Sequence, residues 1–164
     1  MYHKIQDFIQ EWAHESQSTL KYLDTLTDES LRYKTGGGVR EIGRLAWHIV
    51  NSPALLNQAG LNVASAPHDS QPPATAREFA ETFRKASESV IAEVQKWKDE
   101  DLAKEANMFG QTWRHGQTLN VMIKHMIHHR GQLSILMREA GLKVPGIYGP
   151  SREEWTERGM PEMA

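Results

Sequence analysis

The sequence predicts an all-α fold, a four-helix bundle, and three observations carry that expectation. Four separate stretches repeat apolar residues at three- and four-residue intervals, the spacing that gathers side chains on one face of a helix. Each stretch has a single apolar stripe with a polar back, so each helix must bury one face against its neighbours. Between the stretches lie segments rich in glycine, proline and polar residues that interrupt any longer helix. At 164 residues the chain is read as one domain, residues 1–164, long enough to enclose a substantial core.

The first helix is expected over residues 2–24. Ile5, Phe8, Ile9, Trp12, Thr19, Leu20 and Leu23 form its stripe, with Asp7, Gln10, Glu11 and Lys21 facing away. His14 falls about 200° around the helix from Trp12, which makes it a surface histidine. Thr27-Asp28-Glu29-Ser30 reads as a turn or a short capped helix, and Gly36-Gly37-Gly38 as a breaker. That triplet follows no strand and precedes no Gly-Lys-Ser/Thr, so it is a flexible connector and not a phosphate loop.

The second helix is expected from about Val39 to Asn57, with Ile42, Leu45, Ala46, Ile49 and Leu56 inward. Pro53 removes one backbone bond and should kink it, or restart it with Ser52 as cap. Gly60–Ala74 is polar and proline-rich and serves as a long connection. A link of about 18 residues is too long for a tight hairpin, so it could cross the bundle and let helices two and three run parallel. Thr75-Ala76-Arg77-Glu78 is a capping box that opens a third helix, buried along Phe79, Ala80, Phe83, Val90, Ile91, Val94 and Trp97 and ending near Lys98. Residues 99–117 form a second connection, within which MFGQTWRHG could make a short hairpin-like excursion. After the fourth helix, a tail from Leu142 with three prolines wraps the surface.

The fourth helix, Thr118 to Arg138, holds the chemistry. Thr118 is read as its N-cap and Gly141 as the C′ residue that closes it. Its stripe is Leu119, Met122, Met126, Leu133, Leu136 and Met137. With Met122 as zero, the apolar arc centres near 20°, His129 falls at about −20° and His125 at about −60°. The pair therefore flanks the buried stripe, at a seam between helices, and His48 lies at the matching edge of the second helix. Neutral imidazoles at i and i+4 can reach one cation, and a third histidine across the seam would complete three ligands with a position left for water. The competing reading is three boundary histidines bonded to backbone carbonyls. Met126 follows His125 where a zinc-protease motif needs glutamate, so no general base accompanies the pair on this helix. His128 points away at about −120° and is not counted as a ligand. Met122, Met126 and Met137 with Trp47 and Trp97 are read as core packing.

Composition narrows the function classes. A formal charge of −2 and a pI near 6.4, with no local cluster of Lys and Arg, leave no footprint for nucleic acid. The absence of cysteine removes disulfides, thiolate metal sites and a cysteine nucleophile. No apolar run approaches a membrane span and the N-terminus is no signal peptide, so the expected address is the cytoplasm.

Leu45-Ala46-Trp47-His48-Ile49 in the second helix, His125-x-x-x-His129-Arg130-Gly131-Gln132 in the fourth, and Val144-Pro145-Gly146-Ile147-Tyr148-Gly149-Pro150-Ser151 in the tail together carry a resemblance. The sequence resembles the DinB-like family of bacterial four-helix metal proteins, which includes the bacillithiol-transferase-like enzymes. The resemblance covers nearly the whole chain. It implies an up-down-down-up bundle, commonly a homodimer, with a divalent metal held by His48, His125 and His129: zinc first, with nickel, iron or manganese as alternatives. It further implies a metal-dependent enzyme acting on or with a low-molecular-weight thiol, in the manner of an S-transferase. Two other functions stay open: a metal-dependent hydrolase, and a binding or structural module whose metal fastens two helices.

Overall fold

The computed structural model of the protein describes residues 1–38, 40–67 and 70–161. It is mostly helical. The principal helices are α1 (Ile5–Leu23), α2 (Ile42–Asn51), α3 (Ala76–Val94) and α4 (His115–Glu139). A two-stranded antiparallel hairpin, β1 (Glu105–Met108) and β2 (Gln111–Arg114), precedes α4, and a short helix α5 (Arg152–Glu157) lies in the tail. Single 3-10 segments occupy Ser30–Arg32, Ser52–Ala59 and Asp99–Ala103. Both α1 and α2 pack against α3 and α4, so the last two helices lie between the first two. The four stripes meet in one core around Phe8, Trp12, Ile49, Phe79, Phe83 and Met126. Within it the Trp12 indole N–H donates to Ser87 O and Oγ, at 3.2 and 3.0 Å, and so ties α1 to α3.

The helix ends are where the sequence reading and the structure part. The Ile5 N–H at the start of α1 donates to the Asp99 carboxylate at 2.9 Å, an orphan donor capped by a distant chain segment rather than by its own sequence. The same holds at α3, where Ala76 N–H donates to Asp28 Oδ1 at 2.7 Å. Beside it the expected Thr75–Glu78 box closes, with the Thr75 N–H and hydroxyl both donating to Glu78 at 3.2 and 2.6 Å. α3 stops at Val94, short of Lys98, because Lys98 N–H donates to the Asp101 carboxylate at 2.7 Å and opens the next turn instead.

The expected start of the second helix at Val39 lies outside the described residues; α2 runs from Ile42. At Pro53 the chain restarts as a 3-10 segment, and Asn51, not Ser52, is its capping residue. The Ser52 backbone N–H serves both His48 O and Ile49 O, covering the carbonyl that Pro53 cannot reach. The Ser52 hydroxyl adds a second bond to His48 O at 2.6 Å.

The reading of Thr118 as N-cap of α4 is corrected: the helix begins one turn earlier, at His115, behind Arg114. The hairpin explains this. His115 N–H donates to Lys104 O at 2.8 Å, extending the ladder that pairs Glu105 with Arg114, so strand pairing itself aligns the first turn. The Thr118 hydroxyl instead donates back to Arg114 O at 3.2 Å. The other end matches expectation. Gly141, at φ +78°, is followed by a Leu142 N–H that donates to Met137 O, and Gly141 N–H donates to Arg138 O, the paired bonds of a Schellman stop.

One buried ion pair joins α1, α4 and the tail. Arg130, 3% exposed, donates to Glu15 Oε2 at 2.5 Å, to Glu15 O at 3.0 Å and to Thr19 Oγ1 at 3.1 Å. Tyr148 of the tail completes the set: its hydroxyl accepts from Arg130 at 2.7 Å and donates to Glu15 at 2.8 Å. Burial pushes the Glu15 carboxyl up, but bonds from Arg130 and Tyr148 and the guanidinium charge outweigh it and hold the acid below its ordinary 4.5. A depressed acid stabilises the fold fully above that ordinary value and loses the contribution as pH falls through the folded-state value. Arg130→Met strands the carboxylate in the core, and urea denaturation at neutral pH should show a loss of about 3–5 kcal/mol. The deficit should shrink in acid as Glu15 takes up a proton. A loss under 1 kcal/mol, as for a solvated pair, would refute this account.

Candidate metal centre

His48 sits near the C-terminal end of α2, held from both sides. On its carbonyl side are the two Ser52 bonds; beside it the Trp47 indole donates to Ser70 O at 2.9 Å and meets Phe79 edge-on at 5.3 Å. Ile49 and Val50 are fully buried, which fixes the rotation of α2 and turns His48 toward α4. His125 and His129 lie on α4, one turn apart, facing it.

The three imidazoles converge. Nε2 of His48 lies 3.2 Å from Nε2 of His125 and 3.1 Å from that of His129, and the latter two are 3.1 Å apart. The rings meet edge to face, at interplanar angles of 66°, 90° and 75°. All three are half-buried. These residues are brought together as the sequence reading expected, and His14 and His128 are not among them. His14 is on the surface, against Glu15 and the Tyr148 ring. His128 is exposed, and its Nε2 accepts from the Gln132 amide at 3.2 Å.

Gln132 is the supporting residue that the sequence reading quoted without assigning it a task. Its Oε1 lies 2.8 Å from His129 Nδ1. An amide oxygen only accepts, so Nδ1 carries the proton and Nε2 presents a lone pair to the other two rings. The signal for it was the i, i+3 spacing that makes helical neighbours of His129 and Gln132. Burial depresses the pKa of His129, opposed by the Gln132 bond and assisted by the charges of His128 and Arg40. The ring is therefore neutral at pH 7, the form a metal takes.

The triad could hold a metal ion. Separations of 3.1–3.2 Å would let its three nitrogens all reach one cation at the usual imidazole–zinc distance of about 2.0–2.1 Å. The donor set holds three histidines and no carboxylate. One side of the ion would be left for other ligands.

Two cavities adjoin the triad. A cleft of about 550 Å³ reaches His129 and is walled by Arg40, Leu45, Gln132, Ile135 and Glu139. A smaller pocket of about 90 Å³ reaches His125 from beneath the hairpin. Arg40 follows the glycine triplet and forms no ion pair among the described residues; nothing in its local sequence marked it. Glu139 lies ten residues beyond His129, about 15 Å along the helix axis, too far for a base acting at the triad.

The comparisons with known proteins agree with this architecture. The model of the DinB family matches residues 1–162. The uncharacterized protein YrdA of Bacillus subtilis (strain 168) is 36% identical over 162 residues, 98% of this chain and 97% of that protein. A crystal structure of a DinB-like protein from Bacillus cereus ATCC 10987 is 41% identical with a TM-score of 0.86, covering 90% of this chain and all of that one. The DinB-like protein YjoA of B. subtilis shares the fold at 21% identity and a TM-score of 0.68, over 86% of this chain and 96% of that one. The chain belongs to the DinB family.

Proposed function

We propose that the protein is a metal-dependent thiol S-transferase that holds one divalent cation, zinc first, on Nε2 of His48, His125 and His129. The observation that carries the reading is the donor set itself: three convergent imidazole nitrogens and no carboxylate. A bound cation of this kind lowers the pKa of a thiol that reaches it and so supplies a thiolate at neutral pH. The chain's own residues do the remainder. Gln132 fixes the tautomer of His129. Arg40 offers a cation to an anionic part of the substrate, and Leu45, Ile135 and Leu136 form an apolar wall beside the sulfur. With no cysteine in the chain, the sulfur is the substrate's. A C–S bond forms, the S–H proton passes to solvent, and the group displaced from carbon leaves with its bonding electron pair. Hydrolysis is disfavoured by the distance of Glu139 from the triad.

The first expected outcome is about one zinc per chain in protein purified without an affinity tag, falling toward zero in His125→Ala and His129→Ala. Gln132→Leu should weaken affinity about 10–100-fold, as loss of a ligand's supporting bond does. Unchanged occupancy in both histidine variants would sink the site. Chelation should lower the melting temperature and leave helicity largely intact, because the apolar stripes supply the core without the metal; loss of most helical signal would favour the helix-fastening module.

The second concerns the thiol. A small cellular thiol should bind the loaded protein at least about 10-fold more tightly than the stripped one, since binding is linked to the metal. In Co²⁺-loaded protein a thiolate adds a charge-transfer band that water does not, and His48→Ala should weaken it. No band with several thiols, but an exchangeable water on the metal, points to the hydrolase; no band and no exchangeable water points to the structural module.

We also infer the up-down-down-up helix order, which the long connection between α2 and α3 supports, and a cytoplasmic address, which cell fractionation checks. The assembly we propose is a homodimer, as the family resemblance implies. Sedimentation equilibrium should return twice the 18.7 kDa of one chain; a single species at the monomer mass up to high micromolar concentration would overturn it.

A further inference from the structure

We propose that the apolar pocket beneath the hairpin receives a compact, uncharged alkyl or alkenyl group of the electrophile, with Phe109 and Trp113 as its specificity-determining rim. The inference rests on the S-transferase reading. The cleft and the pocket meet the triad at different histidines, His129 and His125, so two substrates can approach from separate sides. The cleft carries the charged and amide groups. The pocket is walled by Leu55, Met108, Val121, Met122 and the two rings.

Its polar capacity is nearly nil. The Thr118 hydroxyl, in the wall, gives its proton to Arg114 O at 3.2 Å, and the Trp113 indole gives its own to Gln111 at 3.1 Å, so neither donates into the pocket. A buried water needs two to four polar partners, so this space prefers carbon. Its size sets the class. A cavity of about 150 Å³ takes benzene; one of about 90 Å³ takes less than a phenyl ring, a branched group of three or four carbons. Met108 and Met122 can adjust around it.

The hairpin tip is the independent observation. Met108 pairs with Gln111, so Phe109 and Gly110 alone make the turn, with φ of +55° and +79°. Two positive φ angles are the signature of a turn that favours Asn-Gly, and phenylalanine is poorly suited to the first place. The turn does not need the ring: Asn107 Oδ1 accepts from Gly110 N–H at 3.0 Å. Nor is the ring buried, being 64% exposed with an edge contact to Trp113 at 6.1 Å. A residue that breaks the local rule, adds little to the core and stands at the mouth of a dry pocket beside the triad is explained by what enters that pocket.

The test follows methyl resonances of the full-length, zinc-loaded protein labelled at methionine Cε, titrated with ethanol, 2-methylpropan-1-ol and cyclohexylmethanol. Met108 and Met122 should shift while Met126 and Met137 in the core do not. Affinity for 2-methylpropan-1-ol should exceed that for ethanol at least about fivefold, given two more buried carbons, and cyclohexylmethanol should move neither methyl. Phe109→Asn should hold or raise the melting temperature yet weaken the four-carbon alcohol about fivefold or more, a split that a structural role for the ring would not give. Val121→Phe should abolish binding; if that variant does not fold, Phe109→Asn decides. Unmoved Met108 and Met122, equal binding of the bulky alcohol, or undiminished binding in the variants would overturn the proposal. In Co²⁺-loaded protein the four-carbon alcohol should leave the thiol band unchanged. If it displaces the thiol, the pocket is the thiol's and the assignment to the electrophile fails. If no thiol binds at all while the alcohol titration succeeds, the pocket stands and the S-transferase reading falls.

Discussion

Three ring nitrogens from two helices meet within 3.2 Å of one another, and that convergence depends on how α4 is clamped along its length. His129 and Arg130 are adjacent in sequence, about 100° apart around the helix, and they pull in different directions. Arg130 binds Glu15 and Thr19 of α1, while His129 faces His48 of α2. A rotation of α4 that relaxed one contact would break the other. The buried guanidinium thus acts on the triad without touching it: it denies α4 the rotation that would separate the rings. The tail joins the same clamp through the Tyr148 hydroxyl, so the α4 motif and the tail motif meet on one buried charge pair with α1.

Hairpin and helix are likewise continuous. The ladder of β1 and β2 ends on the His115–Lys104 bond, and from there α4 carries His125 to the triad ten residues on. Because the strands feed directly into the helix, the aromatic tip of the hairpin and the two triad histidines of α4 lie on one continuous path. This places Phe109 and Trp113 over the same pocket whose wall includes His125. On the far side, the glycine-rich connector brings Arg40 to the cleft that reaches His129. Charged side chains thus reach the triad only on the cleft side, beside the apolar wall of Leu45, Ile135 and Leu136, while the pocket side is almost all carbon.

Most of the fold was legible because burial follows helical periodicity. Each of Leu119, Met122, Met126, Leu133, Leu136 and Met137 is buried, as are Phe8, Trp12 and Phe83. The i, i+4 histidines were legible for the same reason. What local sequence could not show is a donor or acceptor supplied from far away. Asp99 caps α1 and Asp28 caps α3 across 94 and 48 residues, and strand pairing moved the start of α4 ahead of Thr118. Glu15 and Arg130 were visible in principle: they fall about 80° and about 60° from the centres of their helices' apolar stripes, on the flank of the buried face. A charged residue there signals a buried partner, but the wheel does not say which one. Arg40 had no local signal, since a loop residue gains its place only when the connector folds.

The chemistry open to the triad follows from a conflict among its ring nitrogens. His129 has its proton on Nδ1, committed to Gln132, so its Nε2 has only a lone pair to bring to the cluster. Two other Nε2 atoms lie at 3.1 and 3.2 Å from their neighbours around the same centre. Three nitrogens in a closed triangle cannot all be satisfied by hydrogen bonds along its edges when one member has no proton to give, and lone pairs brought this close repel. A cation bound by all three would turn that repulsion into attraction. The fold is thereby arranged to keep the site acceptor-rich: Gln132 removes the competing proton, and burial keeps the His129 ring neutral. The four apolar stripes share one core and the half-buried triad lies at its edge, where a bound cation would add to a fold that is already packed.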